Sequence, residues 1–286
     1  MSSRSARSAV RFPGSSKERF PALFWLVFGI SLAASLRVAQ VDPRALVSAE
    51  ARANVARFVT GMFPPDLSAD FLRLMAQPVR ETIQISIAGT ALAVLIGLPL
   101  GVLATSTLTW SGILHERRGG GGRALGFIPY AAARGLLSVF RSIPEFVWAF
   151  MFVRAVGLGP FPGVLAVGVA YGGMLGKVYS EILEGVNARP LETLQAAGAG
   201  RLGLVAYGVF PQALPAFISY TLYRWECAIR ASAILGFVGA GGLGQQLELS
   251  MRMFAFHEVL TLLGILWILV AAVDAISGVI RRAVVR

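Results

Sequence analysis

Long apolar runs separated by short polar breaks dominate the chain, lying near residues 21–40, 80–105, 127–156, 161–184, 205–238 and 256–280. Each approaches or exceeds the roughly 20 residues that cross a hydrocarbon core as a helix. The pattern therefore predicts an all-α integral membrane protein with six spans. The fifth run is longer than a bilayer requires, and Pro211 and Pro215 mark a bend within it, because proline removes a helix hydrogen bond. The first run also fits a signal peptide, with a basic start, an apolar centre and small residues at Ala33 to Ser35. Removing it leaves five spans in the same orientation.

Composition agrees with this pattern. Of 286 residues, 56% are hydrophobic and only 14% charged, against about 25% charged in a soluble domain. The net charge of +11 does not indicate nucleic acid, because the Lys and Arg residues sit between apolar spans and not on one polar face. Sorted by the preference of Lys and Arg for cytoplasmic segments, fourteen fall in residues 1–20, 106–126, 177–204 and the tail, against five on the opposite side. Both termini and the 177–204 segment are thereby expected in the cytoplasm. Cys227 is the only cysteine and lies in an apolar stretch, so an internal disulfide is impossible. It reads as a small buried hydrophobe.

Between the spans, residues 41–79 read as a short outer segment near the membrane surface, with Asp42, Glu50, Asp66 and Asp70 set against four arginines. Gly119 to Gly122 read as a flexible inner connector. Charges inside spans are costly and are functional candidates by default. Arg141 and Glu145 are four apart, as are Glu226 and Arg230, so each pair is placed to neutralise itself along one helix face. The functional alternative is that Arg141, Arg224 or Arg230 lines a passage for an anion, with Tyr220 one turn before Arg224. A guanidinium matches phosphonate or phosphate oxygens in a bidentate fashion.

Gly239, Gly241 and Gly244 satisfy G-x-G-x-x-G after the strand-like Ile234 to Val238, with Glu258 at about the spacing of a ribose contact. That fingerprint needs an α/β unit. Between two membrane spans, the glycines, Gly242 included, read instead as a tight turn. His257-Glu258 and His115-Glu116 have no partner at metal spacing, and no Walker string is present. No metal, cofactor or catalytic residue is expected.

A short segment rich in small residues, 185–211, interrupts the apolar runs. Within it Glu192, Gly198 and Pro211 have the spacing Glu-Ala-Ala, three residues, Gly, nine residues, Ile-x-Leu-Pro, while Thr193, Leu194, Gly208 and Phe210 depart from the usual fillers. On this spacing the chain resembles the type I ABC importer permeases over roughly residues 78–281. Further shared strings are Glu81-Thr82, Phe140 to Glu145, Gly157 to Pro160, Tyr220 to Glu226 and Gly236 to Gly244. Together these are most similar to the phosphonate-type permeases.

The resemblance implies a bacterial inner-membrane permease, not an enzyme, that works as half of a homodimer embedded in lipid. Its partners would be ABC ATPase subunits and an outer solute-binding protein delivering phosphonate or a related phosphorus oxyanion. It implies a cytoplasmic tail over 1–20, a first span and outer loop over 21–77, a permease domain over 78–281 and a short tail over 282–286. In the coupling segment, Ala196, Ala197, Gly198, Ala199 and Gly200 allow close approach of an ATPase, Glu192 and Arg201 fix orientation, and Pro190 suits a helix start. Gly239, Gly241, Gly242 and Gly244 would lie near the outer gate or the binding-protein surface. Two rivals stand beside this reading: an importer for another solute, such as phosphite, phosphate or an amino acid, and an intramembrane enzyme. The enzyme would need a facing nucleophile–base pair or metal ligands.

Overall fold

The computed structural model describes residues 19–39, 48–109 and 120–284, with no strand among them. They belong to two compact units, Met1–Val59 and Thr60–Arg286. In the first unit, α1 (Arg19–Val38) stacks Phe24 on Phe28, with Trp25 edge-on to both. Helix α2 (Ala49–Gly61) follows, so the expected outer segment 41–79 contains a helix. Asp42 and Arg44 of that segment lie outside the described residues, as do the basic residues up to Lys17, His115, Glu116, Arg117 and Arg118.

In the second unit α3 (Ala69–Leu103) starts eleven residues ahead of the apolar run at 80–105. Ser68 caps this helix by accepting a hydrogen bond from Phe71 N at 3.3 Å. The Asp66 carboxyl is held below its usual range by the Ser68 N–H it accepts. Phe71 and Met75 in the added turns pack on Leu243 and Leu262. The chain continues through a single turn, α4 (Ser106–Thr109), to α5 (Gly120–Ser142), α6 (Glu145–Val156) and α7 (Pro160–Glu184). Gly120 to Gly122 thus open a helix and do not form a loose connector, while Gly119 lies outside the described residues.

Helices α3 and α7 pack more extensively than any other pair. Their seam is built of small residues, which let helix backbones approach in a membrane where apolar burial alone drives little association. A Cβ added at Gly97 would lie 2.9 Å from Gly172 O, and one at Gly101 would lie 2.8 Å from Gly176 O. Ile85, Ala93, Val167, Leu175 and Tyr179 fill the core beside this seam, joined by Phe217, Ala228 and Leu235 of α10.

The third predicted span is broken. Gly126–Ser142 and Glu145–Val156 meet at 90°. Pro144 has no N–H to return to Phe140 O and biases Ile143 away from the helical region. The indole Nε1 of Trp148 donates to the freed Phe140 carbonyl at 3.3 Å. Arg141 and Glu145 consequently do not share a helix face, and no ion pair joins them. Arg141 sits in the last turn of α5 and Glu145 in the first turn of α6, where each charge complements a helix dipole.

Beyond α7 come α8 (Ala188–Ala196), the single turn α9 (Arg201–Gly203), a π-helical turn (Leu204–Val209), α10 (Phe210–Gly236), α11 (Gly242–Arg252) and α12 (Phe256–Val284). Among the described residues, α3, α7 and α12 are individually long and apolar enough to cross a membrane, and α5 with α6 pass as one bent span. The apolar part of α1 is shorter, and α10, with Arg224, Glu226 and Arg230 inside it, does not meet that apolarity. How α10 accommodates those charges is a property of the site.

Candidate functional site

The segment expected to couple to an ATPase forms a short helix and a wide turn. Asn187 caps α8 by accepting from Arg189 N at 3.1 Å, so the helix starts at Ala188, and Pro190 occupies its third position. Its far end is a Schellman closure: Ala199 N donates to Leu194 O and Gly198 N to Gln195 O, both at 3.0 Å. This places Gly198 at φ +84° with nothing within 4 Å of a would-be Cβ. The glycine is therefore required by backbone hand, and close approach of a partner is not needed to explain it. Replacement by asparagine, which tolerates this region, is expected to keep uptake near normal. Valine costs about 1–2 kcal/mol there, frays the end of α8, and lowers uptake at unchanged protein level in a vesicle assay.

Two departures from the usual motif, Leu194 and Gly208, have a packing reason. Gly208 stands where a Cβ would lie 2.4 Å from Leu191 and 3.1 Å from Leu194. The two leucines seat α8 on the π turn, leaving Glu192, Gln195, Ala196 and Ala197 exposed on the other side. Phe210 N reaches back to Val205 O, a five-residue step, immediately before Pro211, which has no N–H to offer a four-residue ladder. The expected bend around Pro211 is thus a widened turn, and α10 continues through Pro215.

Three strings far apart in sequence converge on one junction. Glu81 Oε2 accepts from Gly242 N at 2.8 Å and Thr82 Oγ1 from Leu243 N at 2.9 Å, so α3 caps the start of α11. Gly159 N donates to Gly239 O at 3.0 Å. A side chain at Gly242 would be both strained, at φ +73°, and 2.7 Å from Thr82 Oγ1. Gly236 and Gly244 bring α10 and α11 into backbone contact, a Cβ at Gly244 falling 1.7 Å from Ala233 O. Ile234 is helical and no strand precedes the glycines, which removes the nucleotide-fold alternative. Glu258, spaced for a ribose, instead accepts from Ser250 Oγ at 2.7 Å. His257 is exposed.

On α10 the expected Glu226–Arg230 pairing does not form. Glu226 accepts from Arg281 and Ser277 of α12, because a helix neighbour offers a better-placed guanidinium than the same face one turn on. Arg230 is exposed and contacts Cys227 Sγ at 3.7 Å, so the thiol is half-buried and not fully enclosed. Arg224 has no carboxylate partner among the described residues. Its Nε and Nη2 donate to Tyr220 Oη at 3.0 and 2.8 Å. Its guanidinium carbon lies 5.6, 5.3 and 5.7 Å from the ring centroids of Tyr171, Tyr220 and Tyr223. Such contacts offset part of the cost of a charge in lipid. Through Arg224, α10 thus reaches the buried Tyr171 of α7. Sequence reasoning missed Tyr171, whose lone place in an apolar run carries no signal.

Also missed is an ion pair at the end of α7, next to the 185–211 segment. Arg134 Nη2 lies 3.0 and 3.1 Å from the two oxygens of Glu184. Arg134 interrupts an apolar run, the one cue in the sequence, but its partner is fifty residues away.

Residues 112–286 match the family described as binding-protein-dependent transport system inner membrane component. The chain is 36% identical over 257 residues to the phosphite transport system permease protein of Stutzerimonas stutzeri, covering 90% of this chain and 86% of that one. It is 37% identical over 119 residues to a cryptic phosphonate transport system permease protein of Escherichia coli, covering 42% of this chain and 98% of the relative. Among solved structures, the inward-facing MetNI methionine ABC transporter superposes with a TM-score of 0.64 at 25% identity, covering 77% of this chain and all of that one. With its helical fold and the matched residues spanning the broken span, the 185–211 segment and the glycines 236–244, this chain belongs to the binding-protein-dependent inner-membrane permeases of the type I ABC importers.

Proposed function

We propose that this permease conducts a phosphorus oxyanion, of the phosphonate or phosphite class, through a pathway in which Arg224 meets the anion. The single observation that carries the reading is a guanidinium on α10 with tyrosines around it and no carboxylate partner among the described residues. Two of its five N–H groups are used on Tyr220. Three are left for oxyanion oxygens, for which a planar fork is well matched. The named activities of the phosphite and phosphonate relatives support this class.

As a family member the chain is a transport component, and a separate ABC ATPase and a solute-binding protein are its partners. Two copies in the lipid bilayer form the pore, since one chain carries one coupling segment and two ATPases need two. Both termini and residues 185–211 face the cytoplasm. There Glu192, exposed on α8, with Ala197, Gly198, Arg201 and Pro211 in the same segment, presents the docking surface. ATP-driven closure rocks the two copies between inward- and outward-open states, a rigid-body transition. Arg141, Glu145, Glu226, Arg230 and the glycines 239, 241, 242 and 244 belong to the walls and gate of the path.

The test is uptake by proteoliposomes containing this chain, its ATPase and its binding protein. ATP-dependent uptake of labelled phosphite, competed by methylphosphonate, is the expected result. Uptake of an amino acid with no response to either phosphorus compound overturns the substrate class and leaves the permease standing.

A further inference from the structure

We infer that the Arg134–Glu184 ion pair is a positioning strut that makes the coupling helix move as one body with α3 and α5. The inference rests on reading residues 185–211 as the ATPase-docking segment. Glu184 is the last residue of α7, and α8 begins only four positions later, across Gly185. A push on α8 is transmitted only if the end of α7 resists it, since a glycine linker otherwise absorbs the displacement in its own backbone.

The Glu184 carboxylate is held by two residues. It takes both contacts from Arg134 Nη2, at 3.0 and 3.1 Å, and the backbone N–H of Ser106 at 2.8 Å. Arg134 also donates through Nε to Ala104 O, the C-cap carbonyl of α3, at 3.1 Å, and lies 5.1 Å from the Tyr130 ring centroid. One guanidinium therefore ties together the cytoplasm-side ends of α3 and α7 from its place on α5. Both side chains are only about a third exposed, at 31% and 27%, so solvent does not screen the pair as it does a surface bridge. Beside it Ala104, Ala133 and Leu137 form a small buried cluster. At its other end α3 holds α11 through Glu81 and Thr82. The strut thus lies on a continuous route from the coupling helix to the glycine junction.

The experiment measures molecules transported per ATP hydrolysed, in proteoliposomes holding the full permease, ATPase and binding protein. Arg134→Gln is expected to assemble and hydrolyse ATP while uptake per ATP falls about tenfold, because it removes the charged contact from Nη2 to Glu184. The charge swap R134E with E184R is expected to recover about half of the loss. Uptake per ATP that is unchanged in Arg134→Gln overturns the strut, as does a loss in which hydrolysis and uptake fall together and the swap restores neither. Should Arg134→Gln fail to assemble, Arg134→Lys keeps the charge without the fork. It is expected to lower uptake per ATP about threefold, and an unchanged ratio in that variant also overturns the proposal. Glu192→Lys is run in parallel. If it uncouples while the Arg134 variants do not, only the strut fails; if Glu192→Lys leaves coupling normal, the reading of the docking segment itself fails.

Discussion

Replacing Arg224 by alanine is expected to lower phosphorus-oxyanion uptake about 100-fold while leaving the complex assembled in the membrane. Charged hydrogen bonds of the kind a guanidinium makes with an oxyanion contribute about 1.5–3 kcal/mol each, and tenfold in a rate or affinity corresponds to about 1.4 kcal/mol. Losing one to two of them gives the stated factor. Assembly is spared because Arg224 makes no ion pair among the described residues, and its only hydrogen bonds are to Tyr220, one turn away on the same helix. Arg224→Lys retains the charge but neither the fork nor the flat face that lies over the tyrosines, so uptake is expected to fall between the two, about tenfold. The measurement is initial uptake rate against substrate concentration, with complex recovery as control. Wild-type uptake in Arg224→Ala removes the arginine from the path.

The second large effect concerns stability. Gly244→Ala places a Cβ 1.7 Å from Ala233 O and 2.7 Å from Ala233 C. Those are backbone atoms of the facing helix and no rotamer change relieves them, so α10 and α11 must separate. Overpacking of this kind costs about 3 kcal/mol or more. The separation also strains the hydrogen bonds from Gly242 N to Glu81 and from Leu243 N to Thr82. The same substitution at Gly135, in the middle of α5 with nothing within 4 Å of the new atom, is expected to stabilise by about 0.5–1 kcal/mol, because alanine loses less conformational entropy in a helix. Thermal unfolding of the detergent-purified protein distinguishes the two. A Gly244→Ala midpoint equal to wild type contradicts the packing described.

The local structure of residues 185–211 was legible in sequence because its information is local. Glu192, Gly198 and Pro211 keep their spacing whatever surrounds them, and the closure of α8 at Gly198 depends on φ at one residue. The break of the third span was legible in principle, since Pro144 disfavours a helical Ile143, yet hydropathy alone joins 127–156 into one run. Other relations were not legible. Arg141 and Glu145 have helical spacing but lie on either side of a 90° bend. Glu226 lies four residues from Arg230, yet binds Arg281, fifty-five positions away. The filler positions 194 and 208 depart from the usual motif for a reason visible only when Leu194 is seen lying on Gly208.

By itself, the sequence determined an apolar, multi-helix membrane chain, the stretches where most of its long helices lie, and the small-residue break at 185–211. These follow from lengths, periodicities and backbone preferences that act over a few neighbouring residues. Only the tertiary structure decided which charges neutralise one another, that Glu81-Thr82, Gly157 to Pro160 and Gly236 to Gly244 form one junction, and that Arg134 braces Glu184. The physical reason is that an ion pair or a backbone contact is selected by distance between helices. That distance is set here by glycine-to-glycine approach along α3 and α7 and between α10 and α11, and helical periodicity within one segment does not encode it.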